Sequence, residues 1–267
     1  METQKPAFLM PRVGDVQLEV RHIEGDQPTL APLVFLHEGL GSVKMWGQRG
    51  HDWPEALCRA TGRTGWVYSR QGYGESDPIP DVRGSGRHRP DYMHREALQR
   101  LPALLEVLGI QKPVLVGHSD GATIALIHAA HHPVTACVAM APHAFVEAVA
   151  LDSITQARQA YETQGLRERL SRYHRDVDNA FWQWNDVWLS EAFRSFDIRQ
   201  ECRAIRAPLM LIQGLNDEYG TLDQLDELSS ACPHAERLEL PACGHSPHRD
   251  QPARLTEALS AWLKPLP

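Results

Sequence analysis

Six short apolar runs punctuate this chain: PLVFLHEG from Pro32, TGWVYSR from Thr64, PVLVG from Pro113, ACVAMAPH from Ala136, APLMLIQG from Ala207 and ERLELPACG from Glu236. Their lengths and β-branched content suit buried strands. Most are followed by a helical pattern. WPEALCRATG predicts a helix stopped by glycine, and DYMHREALQRLPALLEVLG places Met93, Leu98, Leu101, Leu104, Leu105 and Leu108 near helical spacing before Gly109. Parallel neighbours need a crossover connection of a dozen or more residues, usually a helix. The alternation therefore predicts an α/β fold with a mostly parallel sheet and helices on its faces.

One segment departs from this rhythm. Between His143 and Ala207 the sequence has helical patterns and no strand pattern. Leu166, Leu170, Tyr173, Val177, Phe181, Trp184 and Trp188 recur at steps of three or four and predict one apolar helical stripe. FWQWNDVW packs three of the seven tryptophans into seven residues. The expected organisation is a core domain of residues 1–142 and 208–267 interrupted by a helical insertion at 143–207. Such an insertion is placed to act as a lid, because ligands of open α/β sheets bind at the carboxyl ends of the strands. Trp182 and Trp184 are the candidates for lining a pocket beneath it.

Composition removes several classes of function. The net charge is −7 with both signs dispersed, and no basic face suggests nucleic acid. No apolar stretch approaches the roughly 18 residues of a membrane helix, and METQKPAFLM does not have the form of a signal peptide. Five cysteines, never spaced as CxxC, argue for a reducing compartment and against a zinc ribbon. Fourteen histidines lack HExxH spacing, so no metal is expected. A cytoplasmic protein with a small-molecule substrate, monomeric or homodimeric, is the expectation.

The sharpest motif is GHSDG at 117–121, set between VLV and ATIALIHAA. The G-x-S-x-G pattern alone would arise by chance in roughly one chain in eleven of this length. Its place between a predicted strand and a predicted helix is what a nucleophile elbow requires. Ser119 would occupy a strained turn that Gly117 and Gly121 leave room for, with the Asp120 N–H facing the space above it. A serine hydroxyl needs a base, and the base an orienting carboxylate. LMLIQGLNDEYG offers Asp217, with Glu218 beside it, and LELPACGHSPHRD offers His245, with His248 close by. The preferred set is Ser119, Asp217 and His245.

With HEGLG at 37–41, SRQGYGESD at 69–77, GHSDG at 117–121, GLND at 214–217 and GHSPH at 244–248, the chain resembles the α/β-hydrolase fold family over almost its full length. The resemblance implies a sheet of about eight strands, a helical cap before the acid-bearing strand, and no cofactor. It also implies an oxyanion hole made by the N–H groups of Gly39 and Asp120. Among family members the chain is similar to capped bacterial enol-lactone and meta-cleavage product hydrolases of aromatic-compound degradation. The expected activity is a serine hydrolase cleaving an ester, lactone or thioester of an apolar or aromatic molecule. The alternatives are hydrolysis of a carbon–carbon bond in a ring-fission product, and a non-catalytic binding module.

The family loop reads His-Gly-x-x-Gly, whereas here Glu38 follows His37. A carboxylate beside an oxyanion hole opposes the charge it must stabilise. Glu38 is therefore expected to turn away toward solvent, to pair with a cation, for which Arg70 is the best candidate, or to face the substrate. His37 and Glu38 are accordingly candidate pocket residues.

Overall fold

The computed structural model describes residues 7–48 and 50–267. The six apolar runs form strands of one eight-stranded sheet: β3 (Leu33–Leu36), β4 (Gly65–Tyr68), β5 (Val114–His118), β6 (Ala136–Met140), β7 (Leu209–Gly214) and β8 (Glu236–Leu240). Two N-terminal strands, β1 (Ala7–Leu9) and β2 (Val20–Ile23), complete the order β1-β2-β4-β3-β5-β6-β7-β8. From β4 to β8 all neighbours are parallel, while β1 and β2 are antiparallel. The α/β expectation is thus met. The two N-terminal strands were not expected from the sequence; β1 is a three-residue edge strand with Phe8 and Leu9 exposed, and β2 is a short strand of four residues that includes Arg21 and His22.

The helices are α1 (Trp53–Thr61), α2 beginning at Tyr92–Arg95, α3 (Asp120–His131), α4 (Ala148–Thr163), α5 (Leu166–Leu170), α6 (Val177–Trp188), α7 (Arg199–Cys202), α8 (Asp223–Ala231), α9 (Pro247–Asp250) and α10 (Pro252–Leu263). The Asp52 side chain caps α1 by accepting from Glu55 N at 3.1 Å, and Gly62, at φ 71°, ends it. The predicted helix after Asp91 forms, but with a π segment over Glu96–Arg100 before it resumes as Leu101–Val107. Pro102, which cannot donate to the preceding turn, lies just after that widening.

Strand β5 shows how the sheet divides the interior. Leu115 faces the core beneath α2 and α3, with Leu36, Leu101 and Leu126. Val114 and Val116 face the other side, against α1 and α10, with Trp53, Leu57, Leu255 and Leu259. This is the two-residue alternation of a strand buried on both faces. Burying each leucine contributes about 1.5–3 kcal/mol. Trp46 and Trp53 stack at 5.8 Å on the second side. Helix α3 is apolar nearly all round because sheet and helices enclose it.

Between β6 and β7 the chain is helical, as expected, with one isolated bridge between Phe145 and Asp197. The predicted continuous stripe is broken, however. It divides into α5 and α6, because Asp176 caps a new helix by accepting from Asn179 N at 3.0 Å. In the intervening turn His174 is buried and receives Gly74 N at 3.0 Å, pinning the segment to the loop after β4.

Candidate active site

The sheet brings the sequence motifs to one edge. The chain leaves the carboxyl end of β3 into His37-Glu38-Gly39, of β4 into Ser69-Arg70, of β5 into Ser119, of β7 into Asp217, and of β8 toward His245. That is the edge at which ligands of such sheets bind.

Ser119 sits between β5 and α3 at φ 53° and ψ −120°, a left-handed backbone costing a non-glycine residue about 1–3 kcal/mol. The flanking glycines make the turn possible. A Cβ on Gly117 would run into the backbone of Gly121 and Ala122, and one on Gly121 into the carbonyls of Leu36 and His37. As the first residue of α3, Asp120 has no intrahelical acceptor for its N–H. Its carboxylate is held behind the turn, accepting from the Tyr92 hydroxyl at 2.6 Å and from Trp188 Nε1 at 3.2 Å. Burial raises the Asp120 pKa, against the pull of Arg70, 4.0 Å away, and of these two donors.

The structure brings His245 and Asp217 together, with Nδ1 2.8 Å from Oδ1. Asp217 also accepts from Tyr219 N at 2.8 Å and from Gln213 Nε2 at 3.3 Å. Burial would raise its pKa, but His245 and the Tyr219 N–H hold it below the ordinary range. For His245 burial works against the charged form, yet Asp217, with help from Glu218 and Glu38, raises its pKa above 6.5. The neighbouring alternatives lie elsewhere. Glu218 accepts from the His245 backbone N–H at 3.1 Å and not from its ring. His248 is buried between Trp46, Trp53 and His118. His118, one residue before the serine, hydrogen-bonds through Nε2 to the His245 carbonyl at 2.7 Å, tying the histidine loop to the elbow strand.

The expectation for Glu38 is corrected. It does not pair with Arg70. Glu38 Oε1 lies 2.5 Å from Arg249 Nη2, and Oε2 lies 3.4 Å from His118 Nδ1. Burial opposes its charge, but Arg249, then His118 and His248, hold its pKa well below the ordinary value. Arg70 instead donates to the carbonyls of His37 and Glu38 at 2.5 and 3.0 Å, bracing the same loop through its backbone. His37 is also a brace and not a pocket group. Its Nδ1 bonds to the Glu38 carbonyl at 2.7 Å and its Nε2 accepts Arg70 N at 3.0 Å, so both ring nitrogens are used.

The two tryptophans part company. Trp184 covers Gly39 so closely that a Cβ on Gly39 would enter its indole. Trp182, two residues and about 200° around α6, lies under the Arg83 guanidinium at 3.8 Å, with Arg158 at 5.6 Å. It is not part of the candidate site. Sequence reading missed Tyr92, Trp188 and His143. His143 is buried 5.8 Å from the His245 ring, and burial, with His245, lowers its pKa to about 3. No motif marks these three, since Tyr92 and Trp188 come from separate helices and His143 from the loop after β6.

Comparison with known proteins agrees with this architecture. The chain matches the Alpha/beta hydrolase family over residues 33–258. It is 26% identical to the sn-1-specific diacylglycerol lipase ABHD11 of Mus musculus over 289 residues, covering 97% of this chain and 88% of that protein. Among solved structures it resembles a bacterial membrane phospholipase A, with a TM-score of 0.75 at 17% identity and coverage of 97% and 86%. It also resembles the enol-lactonase of Burkholderia xenovorans, with a TM-score of 0.71 at 18% identity and coverage of 96% and 99%. With this fold, and with a family match spanning most of its length, the chain belongs to the alpha/beta hydrolase family.

Proposed function

We propose that this hydrolase cleaves a carboxylic ester of a small apolar or aromatic molecule through an acyl-enzyme on Ser119. The observation that carries the reading is the 2.8 Å contact between His245 and Asp217 at the edge where Ser119 occupies its left-handed turn. His245 takes the Ser119 proton as Oγ bonds to the carbonyl carbon. Asp217 holds the imidazole tautomer and stabilises the imidazolium, while the N–H groups of Gly39 and Asp120 receive the oxyanion. Collapse expels the alcohol, which takes the proton from His245. Water, deprotonated by the same histidine, then releases the acid and frees Ser119. The ester bond acted on by the mouse relative supports this class over carbon–carbon cleavage.

The helices between 143 and 207 serve in this reading as a cap, with Trp184 forming the roof over Gly39. A large aromatic surface there favours bulky or aromatic acyl groups over acetyl.

A fluorophosphonate probe and a substrate panel test the proposal. Wild type should be labelled on Ser119 and should hydrolyse aryl esters, enol-lactones or short-chain diacylglycerols faster than a ring-fission diketone. Ser119→Ala should lose labelling and at least about 10³-fold of kcat. Near-wild-type turnover in that variant, or turnover confined to the diketone, overturns it.

A further inference from the structure

A second concave site lies apart from Ser119. It is a cleft of about 850 Å³ between the start of α2, the loop before it and α6, and none of Ser119, Asp217 and His245 lines it. Its lining is strongly basic. Arg70, Arg87, Arg89, Arg95 and Arg100 line it together with two acidic residues, Asp91 and Glu96, in a chain whose net charge is −7.

The internal partners of these arginines are mostly neutral. Arg70 is spent on the carbonyls of His37 and Glu38 and lies 4.0 Å from Asp120, Arg100 donates to the Val13 carbonyl at 2.7 Å and lies 4.0 Å from Asp15, and Arg87 donates to the Asp186 carbonyl at 3.2 Å. Arg89 and Arg95 have neither an ion pair nor a side-chain hydrogen bond among the described residues. Surface arginines without partners are common, but these two share one concavity with three others.

The floor supplies an independent observation. Gln183 on α6 lines the cleft and is only 1% exposed. Its Oε1 accepts from His88 Nε2 at 3.0 Å, yet its Nε2 has no hydrogen-bond partner among the described residues. A buried amide N–H left unpaired costs about 1–3 kcal/mol, and an acceptor that reached it would relieve that cost. His88 cannot supply more positive charge, because burial, with Arg70 and Arg95, lowers its pKa to about 4. The ring stacks on Tyr92 at 5.1 Å and acts as wall.

We propose that this cleft binds a small ligand carrying at least two negative charges on phosphate or carboxylate oxygens, held by Arg89 and Arg95 with Gln183 Nε2 as a donor at its base. Guanidinium forks match such oxygens in pairs, and the volume exceeds what a single phosphate fills. Tyr92 lines the cleft and also bonds to Asp120, the residue after Ser119.

Titration calorimetry at low ionic strength with inorganic pyrophosphate and with citrate tests the site. Wild type should bind at least one of them with a Kd below about 1 mM, and the tighter of the two identifies the phosphate or carboxylate source. Arg89→Gln/Arg95→Gln should weaken that binding at least about tenfold, with an unchanged melting temperature and unchanged turnover of a neutral ester. Arg172→Gln/Arg203→Gln, which removes the same charge from exposed positions outside the cleft, should leave binding near wild type. Absence of binding by both anions, or equal weakening in the two double variants, overturns the proposal.

Discussion

Glu38 and Arg249 lie 211 residues apart and meet with Oε1 2.5 Å from Nη2, joining the loop after β3 to the helix that follows the His245 turn. The pair removes the difficulty that a carboxylate raises beside an oxyanion hole. Its charge is answered by a guanidinium on one oxygen and approached by His118 on the other. It also ties the loop carrying Gly39 to the loop carrying His245, so two parts of the candidate site share one anchor.

Removing that charge should cost stability more than chemistry. Glu38→Gln keeps the shape but leaves Arg249, whose side chain is 22% exposed, without its counter-charge. Breaking a fully buried pair costs about 3–5 kcal/mol, and partial exposure reduces the expected loss to roughly 1–3 kcal/mol. Because the folded Glu38 pKa is depressed, its contribution is present above the ordinary value of 4.5 and is lost as pH falls through the folded value. Urea denaturation at pH 7 and at pH 4 should show the wild-type advantage shrinking in acid. A variant as stable as wild type at pH 7 would contradict the pairing role.

Activity should have an acid limb set by His245. The histidine must be neutral to accept the Ser119 proton, and its pKa is raised above 6.5 by Asp217 against the effect of burial. The kcat/KM profile should therefore fall as pH drops below a midpoint higher than that of a free histidine. Asp217→Asn should lower kcat by about 10³-fold or more and move the midpoint down, because the charge that raises it is gone. A profile flat through pH 6 to 8 would contradict this.

Gly39 and Trp184 should behave as a coupled pair. Gly39→Ala drives a methyl group into the indole and should lower both melting temperature and kcat, since the loop bearing the proposed oxyanion donor must shift. Adding Trp184→Phe removes part of the ring and should restore some of each. A double-mutant cycle with a coupling energy below about 0.5 kcal/mol would count against the contact.

Trp188→Phe should separate positioning from packing. It keeps an aromatic ring but deletes the N–H that reaches Asp120 Oδ1 and the Tyr92 hydroxyl. A loss of about 1–3 kcal/mol is expected for the unsatisfied buried carboxylate oxygen, read by chemical denaturation. If the donor also orients the Asp120 N–H, kcat falls while KM for an ester holds.

What the chain alone could disclose follows the range of the forces involved. Strand and helix type are written in local periodicity, so β3 to β8, the glycine stop of α1 and the strand–serine–helix turn at GHSDG could all be read directly. The short edge strand β1 could not, since its three residues are all exposed and show no alternation of apolar and polar positions. Choices between neighbours were not local either. Asp217 and Glu218, or His245 and His248, differ by one or three positions, and only the packed loops decide which carboxylate meets which ring. The partner of Glu38 came from the far end of the chain and not from the adjacent loop, because α9 folds back over the sheet edge. The turn at Asp176 cut the predicted stripe, and rotation about α6 sent Trp184 to Gly39 and Trp182 to Arg83. The basic cleft is the extreme case, assembled from Arg70, the segment from 85 to 103 and Gln183. Side-chain spacing along a strand or helix repeats every two or 3.6 residues and is legible in sequence. Electrostatic and close-packing partners are fixed by distance in space, which the sequence determines only through the completed fold.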